Sequence, residues 1–137
     1  MTTPEQPAAE AAPTSRPRRR WRRLVIPILV APILVFSLYT WFVLHWDYSN
    51  GYRSGTMQKF SRKGWVCKTE EGELWQSEQT FKPTIWYFTV REPSVARQLD
   101  TLVGKNLRLH YTEHRGVPTT CFGETSFYVD SVVVVSP

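Results

Sequence analysis

The sequence predicts one N-terminal transmembrane helix followed by a small, mainly β domain, an OB-like antiparallel barrel with one helix. Three observations carry that expectation. Residues 24–46 contain no Asp, Glu, Lys or Arg. The segment just before them reads RPRRRWRR. Beyond them, short runs of alternating apolar and polar residues are interrupted once by an apolar stripe at helical spacing.

The apolar stretch Leu24 to Trp46 is 23 residues long. As a helix rising about 1.5 Å per residue it spans roughly 34 Å, enough for a hydrocarbon core of about 30 Å. Pro27 is expected in the first helical turn, where its missing N–H costs little, and Pro32 deeper, where it should kink the helix. Trp21 at one end, and Tyr39, Trp41 and Trp46 at the other, suit the half-wet interfaces of a bilayer. The run exceeds the usual signal-peptide core of about 7–15 residues, and WFVLHWDYSNGYRSG has no small-x-small cleavage site. An uncleaved signal anchor is expected.

Arg18, Arg19, Arg20, Arg22 and Arg23, with Arg16 ahead of them, set the orientation. Basic residues accumulate on the cytoplasmic side, so the N-terminus is expected inside and the C-terminal domain across the membrane. In a bacterium this means an inner-membrane protein with a periplasmic domain. The net charge of +5 is unevenly distributed. Residues 1–23 hold six Arg and two Glu, and residues 47–137 hold 11 Lys/Arg and 10 Asp/Glu. The basicity therefore belongs to topology and anionic headgroups, and a near-neutral domain argues against nucleic acid as a partner. The expected partners are the lipid bilayer and another envelope component, a protein or a glycan.

Four segments follow. Residues 1–23 form a basic cytoplasmic tail, disordered at least through MTTPEQPAAEAAPTS, which lacks the apolar residues needed to offset ordering. Residues 24–46 are the span, 47–55 (DYSNGYRSG) a turn-rich linker, and 56–137 the extracytoplasmic domain. A domain of that size builds one core of marginal extent and gains from a covalent staple.

Within the domain, Thr56 to Thr69 reads as one long strand bent at Gly64, with Trp65 and Cys67 on its core face. Glu70, Glu71 and Gly72 read as a turn, and Glu73 to Gln79 as a short strand. Lys82-Pro83 precede a strand from Thr84 to Arg91 (TIWYFTVR). Pro93 and Ser94 open a helix whose Val95, Leu99, Leu102 and Val103 form one stripe, with Ser94 as N-cap and Gly104 beyond its end. Asn106 to His114 alternates, placing Leu107, Leu109 and Tyr111 opposite Arg108, His110 and Thr112. Ser126 to Val135 closes the series. One helix and a glycine-bent first strand suit an OB-like barrel, and an open sheet with a helix across it is the alternative.

The residues able to carry chemistry are few. Cys67 and Cys121 both follow the span, where an oxidising compartment favours a disulfide. Its loop of about 55 residues is worth on the order of 4 kcal/mol in the chain-entropy model. Two free thiols and a redox pair are the alternatives, although no C-x-x-C is present to depress a thiol pKa. His110 and His114 are spaced as metal ligands on a helix, but along a strand they stand about 13 Å apart. They read as surface histidines, and no metal or cofactor is expected. Glu70, Glu71 and Glu73 read as solvated rather than as a catalytic pair. Trp65, Trp75, Trp86, Tyr87, Phe88, Phe122, Phe127 and Tyr128 should mostly be core. Interleaved with Lys59, Arg62 and Lys63, some of them can instead form a stacking surface of the kind OB barrels offer single strands.

No G-x-G-x-x-G, P-loop, G-x-S-x-G or H-E-x-x-H occurs. The expectation is a non-enzymatic binding module whose contact surface is Arg62, Lys63, Arg108, His110, Phe122 and the 115–124 loop. The alternative is a thiol- or metal-dependent envelope activity using Cys121 with His110 or His114.

The stretch YSNGYRSGTMQKFSRKGWVCKTEEGEL (48–74) resembles a family of short bacterial membrane-anchored proteins, and VGKNLRLHYTEH and GVPTTCFGETSFYV match it further on. The resemblance covers residues 24 to 136 and implies an inner-membrane anchor carrying a small β-rich domain of unknown function. Both cysteines fall inside its motif blocks. WQSEQTFKP, after EGEL, departs from the pattern. Some members carry the label 6-phosphogluconate dehydrogenase. That activity needs a dinucleotide-binding βαβ unit and a large helical domain, and neither is readable in this chain.

Thiol labelling of the chain in native membranes should give a mass shift only after reduction. Label taken up without reductant would contradict the oxidised cysteine pair.

Overall fold

The computed structural model describes residues 18–76 and 84–136. The expected tail residues 1–17, the end of the Glu73–Gln79 strand and Lys82-Pro83 lie outside the described residues. The elements are α1 (Arg18–His45), β1 (Ser49–Lys63), β2 (Thr69–Gln76), β3 (Thr84–Val90), α2 (Pro93–Asp100), β4 (Asn106–Glu113) and β5 (Phe127–Val134). The chain divides into two compact units, residues 1–36 and residues 37–137.

In the first unit, α1 begins at Arg18, so Arg18 to Arg23 are helical and do not belong to an irregular tail. Pro27 accordingly lies well inside the helix rather than in its first turn, and the helix continues through both Pro27 and Pro32. The segment Arg23–His45 is long and apolar enough to cross a membrane, by length and composition, and most of its residues are exposed, Thr40 and Val43 being buried.

The second unit is built on the barrel. Its strand order is β1-β2-β3-β5-β4, closing back onto β1. With α2 between β3 and β4, this matches the OB-like arrangement expected from the sequence. One seam corrects the antiparallel expectation: β3 pairs with β5 in parallel, through Thr89↔Tyr128 and Val90↔Val129. The reason is parity. Strands that alternate up and down around a ring of five cannot all be antiparallel, so one pair must run the same way.

The expected linker 47–55 is a strand for most of its length. Ser49 to Thr56 pairs with Glu113 back to Asn106 on β4, and Met57 to Lys63 then pairs with β2. The polar and glycine-rich composition of SNGYRSG reads as a turn, but Gly51, Arg53 and Gly55 alternate with exposed residues along a half-buried edge. Gly55 fits because a Cβ there would come within 2.5 Å of the Trp75 carbonyl. The first strand also stops earlier than expected. Gly64 adopts φ +118°, a left-handed conformation that glycine tolerates, and residues 64–68 leave the sheet as a loop. Trp65, expected on the core face, is therefore fully exposed.

Glu70, Glu71 and Gly72 likewise form no turn, being the second to fourth residues of β2. Gly72 stands opposite Phe60 on β1 and Phe88 on β3. The Phe88 ring lies over it, in space that a Cβ would occupy. A glycine that reads as a turn signal is here a packing requirement.

The core comprises Met57, Leu74, Trp86, Phe88, Val90, Val95, Ala96, Leu99, Leu107, Leu109 and Val129. The expected alternation on β4 holds, with Leu107 and Leu109 fully buried and Arg108 exposed. Helix α2 contributes Val95, Ala96 and Leu99, while Val103 is 45% exposed. Its N-cap is Glu92, without a side-chain capping bond, and Pro93 opens the helix. Ser94, expected as the cap, donates its hydroxyl to Glu92 Oε1 at 3.2 Å. Gly104 turns at φ +84° and donates its N–H to the Met57 carbonyl at 2.8 Å, which holds the chain against β1 as it enters β4.

Gly72→Ala should destabilise the barrel by about 1–3 kcal/mol, because the added methyl displaces the Phe88 ring. Chemical denaturation of the full chain in detergent measures this. An unchanged unfolding midpoint would contradict the packing described.

Candidate functional site

The outer face of β1–β2–β3 follows from the strand register. Thr56, Trp75 and Ile85 stand in one row, Lys59, Glu73 and Tyr87 in the next, and Ser61, Glu71 and Thr89 in the third. The opposite parity of β3, Trp86 and Phe88, fills the core. Trp75, Ile85 and Tyr87 are 41%, 47% and 51% exposed, so two aromatic rings and one aliphatic side chain share this face. Lys59 lies 3.8 Å from Glu73 in the same row.

Two loops bound the face at its other end. Residues 64–68 join β1 to β2, and residues 114–126 join β4 to β5. A disulfide between Cys67 and Cys121 ties them, with the Cα atoms 4.9 Å apart. The second loop also sits on the third row through polar contacts. The Glu71 carboxylate, only 6% exposed, accepts the Thr89 hydroxyl at 2.8 Å and the Glu124 backbone N–H at 3.1 Å. Thr89 Oγ1 accepts the Thr125 N–H at 3.3 Å and lies 3.0 Å from Thr125 Oγ1. Gly123 lets the loop approach: its φ is +154°, and a Cβ would fall 2.7 Å from Thr89. Glu71 is thus a structural acceptor rather than the solvated turn carboxylate expected. Nearby, Tyr128 has a buried hydroxyl without a hydrogen-bond partner among the described residues, and burial raises its pKa above the ordinary phenol value, against the opposing pull of Arg91.

Between the loops and the start of α2 lies a groove of about 550 Å³, lined in part by Arg62, Lys68, Arg91, Arg97, Cys121 and Phe122. Arg62 pairs with Glu70 at 3.5 Å, and Lys63 with Glu124 at 3.6 Å. Among the described residues, Lys68 and Arg97 have no carboxylate within ion-pair distance.

The expected contact surface therefore separates into two. Arg62, Lys63 and Phe122 gather beside the disulfide-tied loops. Arg108 and His110 lie on β4, next to β1 and β5. There Arg108 stacks over Tyr52 at 4.7 Å, and His110 meets Tyr52 at 4.8 Å and the Asp130 carboxylate at 2.7 Å.

His114, expected at the surface, is 6% exposed. Its Nδ1 lies 3.2 Å from the Val43 carbonyl and 3.3 Å from that of Trp46, which makes Nδ1 the donor to the end of α1. Tyr39 adds a hydrogen bond from its hydroxyl to the Gly116 carbonyl at 3.0 Å. Cys121 is disulfide-bonded, each histidine serves a separate contact, and no cluster of three or more metal-ligating side chains occurs among the described residues.

Trp75, Tyr87 and Glu71 were legible only in part. The alternation in TIWYFTV separates Tyr87 from Trp86 and Phe88, but nothing local places Trp75 beside Ile85 or Glu71 beneath a distant loop.

No family model matches the chain, and no curated protein matches it. Among solved structures, the chain is similar to a mitochondrial single-stranded DNA-binding protein from S. cerevisiae. The TM-score is 0.50 at 10% sequence identity, over 66% of this chain and 96% of that one. At this identity the likeness is one of fold, and it agrees with the OB-like reading. It also corrects the exclusion of nucleic acid. That exclusion rests on near-neutral charge over the whole domain and on its expected extracytoplasmic side, and the solved structure the chain is similar to is a single-stranded DNA-binding protein. Net charge also averages over a local face that carries Trp75, Tyr87 and Lys59.

Replacing Glu71 by Ala should destabilise the barrel by about 1–3 kcal/mol, since the Glu124 N–H and the Thr89 hydroxyl lose their acceptor. Serine at both cysteines should cost about 2–4 kcal/mol, from the long loop they close. Denaturation of the full chain under non-reducing conditions measures both, and changes below about 0.5 kcal/mol would contradict the structural roles assigned.

Proposed function

We propose that this chain is a single-pass inner-membrane protein whose extracytoplasmic OB-like barrel is a binding module for a cell-envelope component. The observation that carries the reading is the face formed by Trp75, Ile85 and Tyr87, exposed side by side between strands and bounded by two covalently tied loops. In OB-like barrels the face of the second and third strands, with the loops beside it, is where chain-like ligands lie. Flat rings on a rigid sheet suit an extended ligand, a glycan or a peptide, held by stacking and apolar contact. The 23-residue apolar segment supports the anchor, and the arginines ahead of it support an N-terminus in the cytoplasm. In this reading the disulfide holds the loops in their bound positions, which lowers the ordering cost of binding.

A second reading is favoured by the likeness to the single-stranded DNA-binding protein: the same rings stack on bases of a single strand. The two readings differ in salt dependence. Lys59, Arg62 and Lys63 each face a carboxylate, so phosphates would have to displace those carboxylates, and binding would weaken steeply as salt rises.

Titration of the full chain in lipid nanodiscs, followed by tryptophan fluorescence, separates them. The ligands are cell-wall glycan fragments, envelope peptides and oligothymidylate, each at low and high salt. The first reading expects saturable binding of a glycan or peptide that is weakened at least about tenfold by Trp75→Ala or Tyr87→Ala, a loss of roughly 1.4 kcal/mol. Saturable, salt-sensitive binding of oligothymidylate alone would replace it with the second. Binding indifferent to both substitutions would reject the face.

A further inference from the structure

We propose that the groove at the junction of β1, the end of β2 and the start of β4 is an oxyanion site, in which Arg53 holds a carboxylate or phosphate group. The groove measures about 740 Å³, and Tyr52, Arg53, Thr56, Gln76 and Asn106 are among the residues that line it. It shares Trp75 with the face described above but does not rest on the function proposed for that face.

Arg53 is the unusual member. It follows the inward parity of β1, in step with Met57 and opposite Leu109 on β4. Its guanidinium carbon lies 5.0 Å from the Trp86 ring centre, 5.4 Å from that of Tyr111 and 5.5 Å from that of Phe127. The three rings also pack edge to face on one another, so the cation sits over a fixed aromatic cluster. Ring faces compensate a charge, by about 0.5–2 kcal/mol for a contact of this kind. Ring contacts do not occupy the N–H groups of a guanidinium. A guanidinium carries five such donors, and here one of them reaches Gln76 Oε1, at 3.4 Å. No carboxylate among the described residues lies within ion-pair distance of Arg53. A second donor in the same cluster, Trp86 Nε1, is buried without an acceptor among the described residues.

Arg53 is half-buried, and an inward-facing arginine gains from an anionic partner that offsets its partial desolvation. Among the described residues the side chain that meets the Arg53 fork is a neutral amide, Gln76. The guanidinium sits against the three rings and lines the groove. That fork matches the paired oxygens of a carboxylate or phosphate. The anion can belong to a soluble ligand or to a lipid headgroup, and the chemistry at Arg53 is the same.

The test uses the full chain in phosphatidylcholine nanodiscs and reads its thermal unfolding. Inorganic pyrophosphate is compared with sodium chloride at equal ionic strength, and a second arm replaces part of the lipid with phosphatidylglycerol. A rise in Tm of roughly 4 °C or more is expected at tenfold excess over Kd. A rise with pyrophosphate identifies a soluble anion, and a rise only with phosphatidylglycerol identifies a headgroup. In either arm Arg53→Gln should abolish the rise and Arg53→Lys should retain less than half of it. Gln76→Glu should raise Tm without any anion and remove the response, since an internal carboxylate then occupies the fork. This variant decides the matter if Arg53→Gln fails to fold. No rise in either arm, an equal rise in Arg53→Gln, or a full response in Gln76→Glu would overturn the proposal.

Discussion

The buried carboxylate of Glu71 organises the functional side of this molecule. It stands on the outer face of β2, where a charged side chain would ordinarily reach water, and it is covered by a loop from the far end of the sequence. A carboxylate in that position is tolerable only if its oxygens are bonded. Thr89 satisfies one and the Glu124 backbone N–H the other. The same bonds hold the 114–126 loop on the sheet, and the disulfide to Cys67 then fixes the neighbouring loop to it. Removing the carboxylate would take away the acceptor of the Glu124 N–H, leaving this part of the loop held by the disulfide, the Thr89–Thr125 contacts and the Lys63–Glu124 pair.

The consequence is a face with one rigid boundary. From the clamped end, the outer surface of β1–β2–β3 runs through the Lys59–Glu73 row to Trp75, Ile85 and Tyr87. Packing on the other side of the same strands keeps those side chains outward. Gly72 leaves space for the tip of the Phe88 ring against β2, and Trp86 sits among Phe88, Tyr111 and Phe127. The core thus determines which aromatics are left for contact. The loops determine where a ligand on that face would end.

The sequence shows the strand order, the single helix and the cysteine pair, because each has a local signal: alternation, an apolar stripe, an even cysteine count after an apolar segment. It is misleading where glycine stands for more than one thing. Gly72 reads as a turn and is a packing gap, while Gly64 reads as a bend and ends a strand. Gly51 and Gly55 make a strand resemble a linker. The face itself is legible by half. Parity within TIWYFTV exposes Tyr87, but its neighbours come from a pairing register that no single segment encodes. Long-range contacts such as Glu71 to Glu124, and His114 to the end of α1, have no local signature.

The central claim is that the 114–126 loop is clamped to the sheet through Glu71. Amide hydrogen exchange of the full chain, read at single residues, tests it most directly. The account predicts that the Glu124 and Thr125 amides are protected to a degree comparable with the paired amides of β2, although they lie in a loop. Exchange at these two amides as fast as in an open loop, while β2 stays protected, would contradict it.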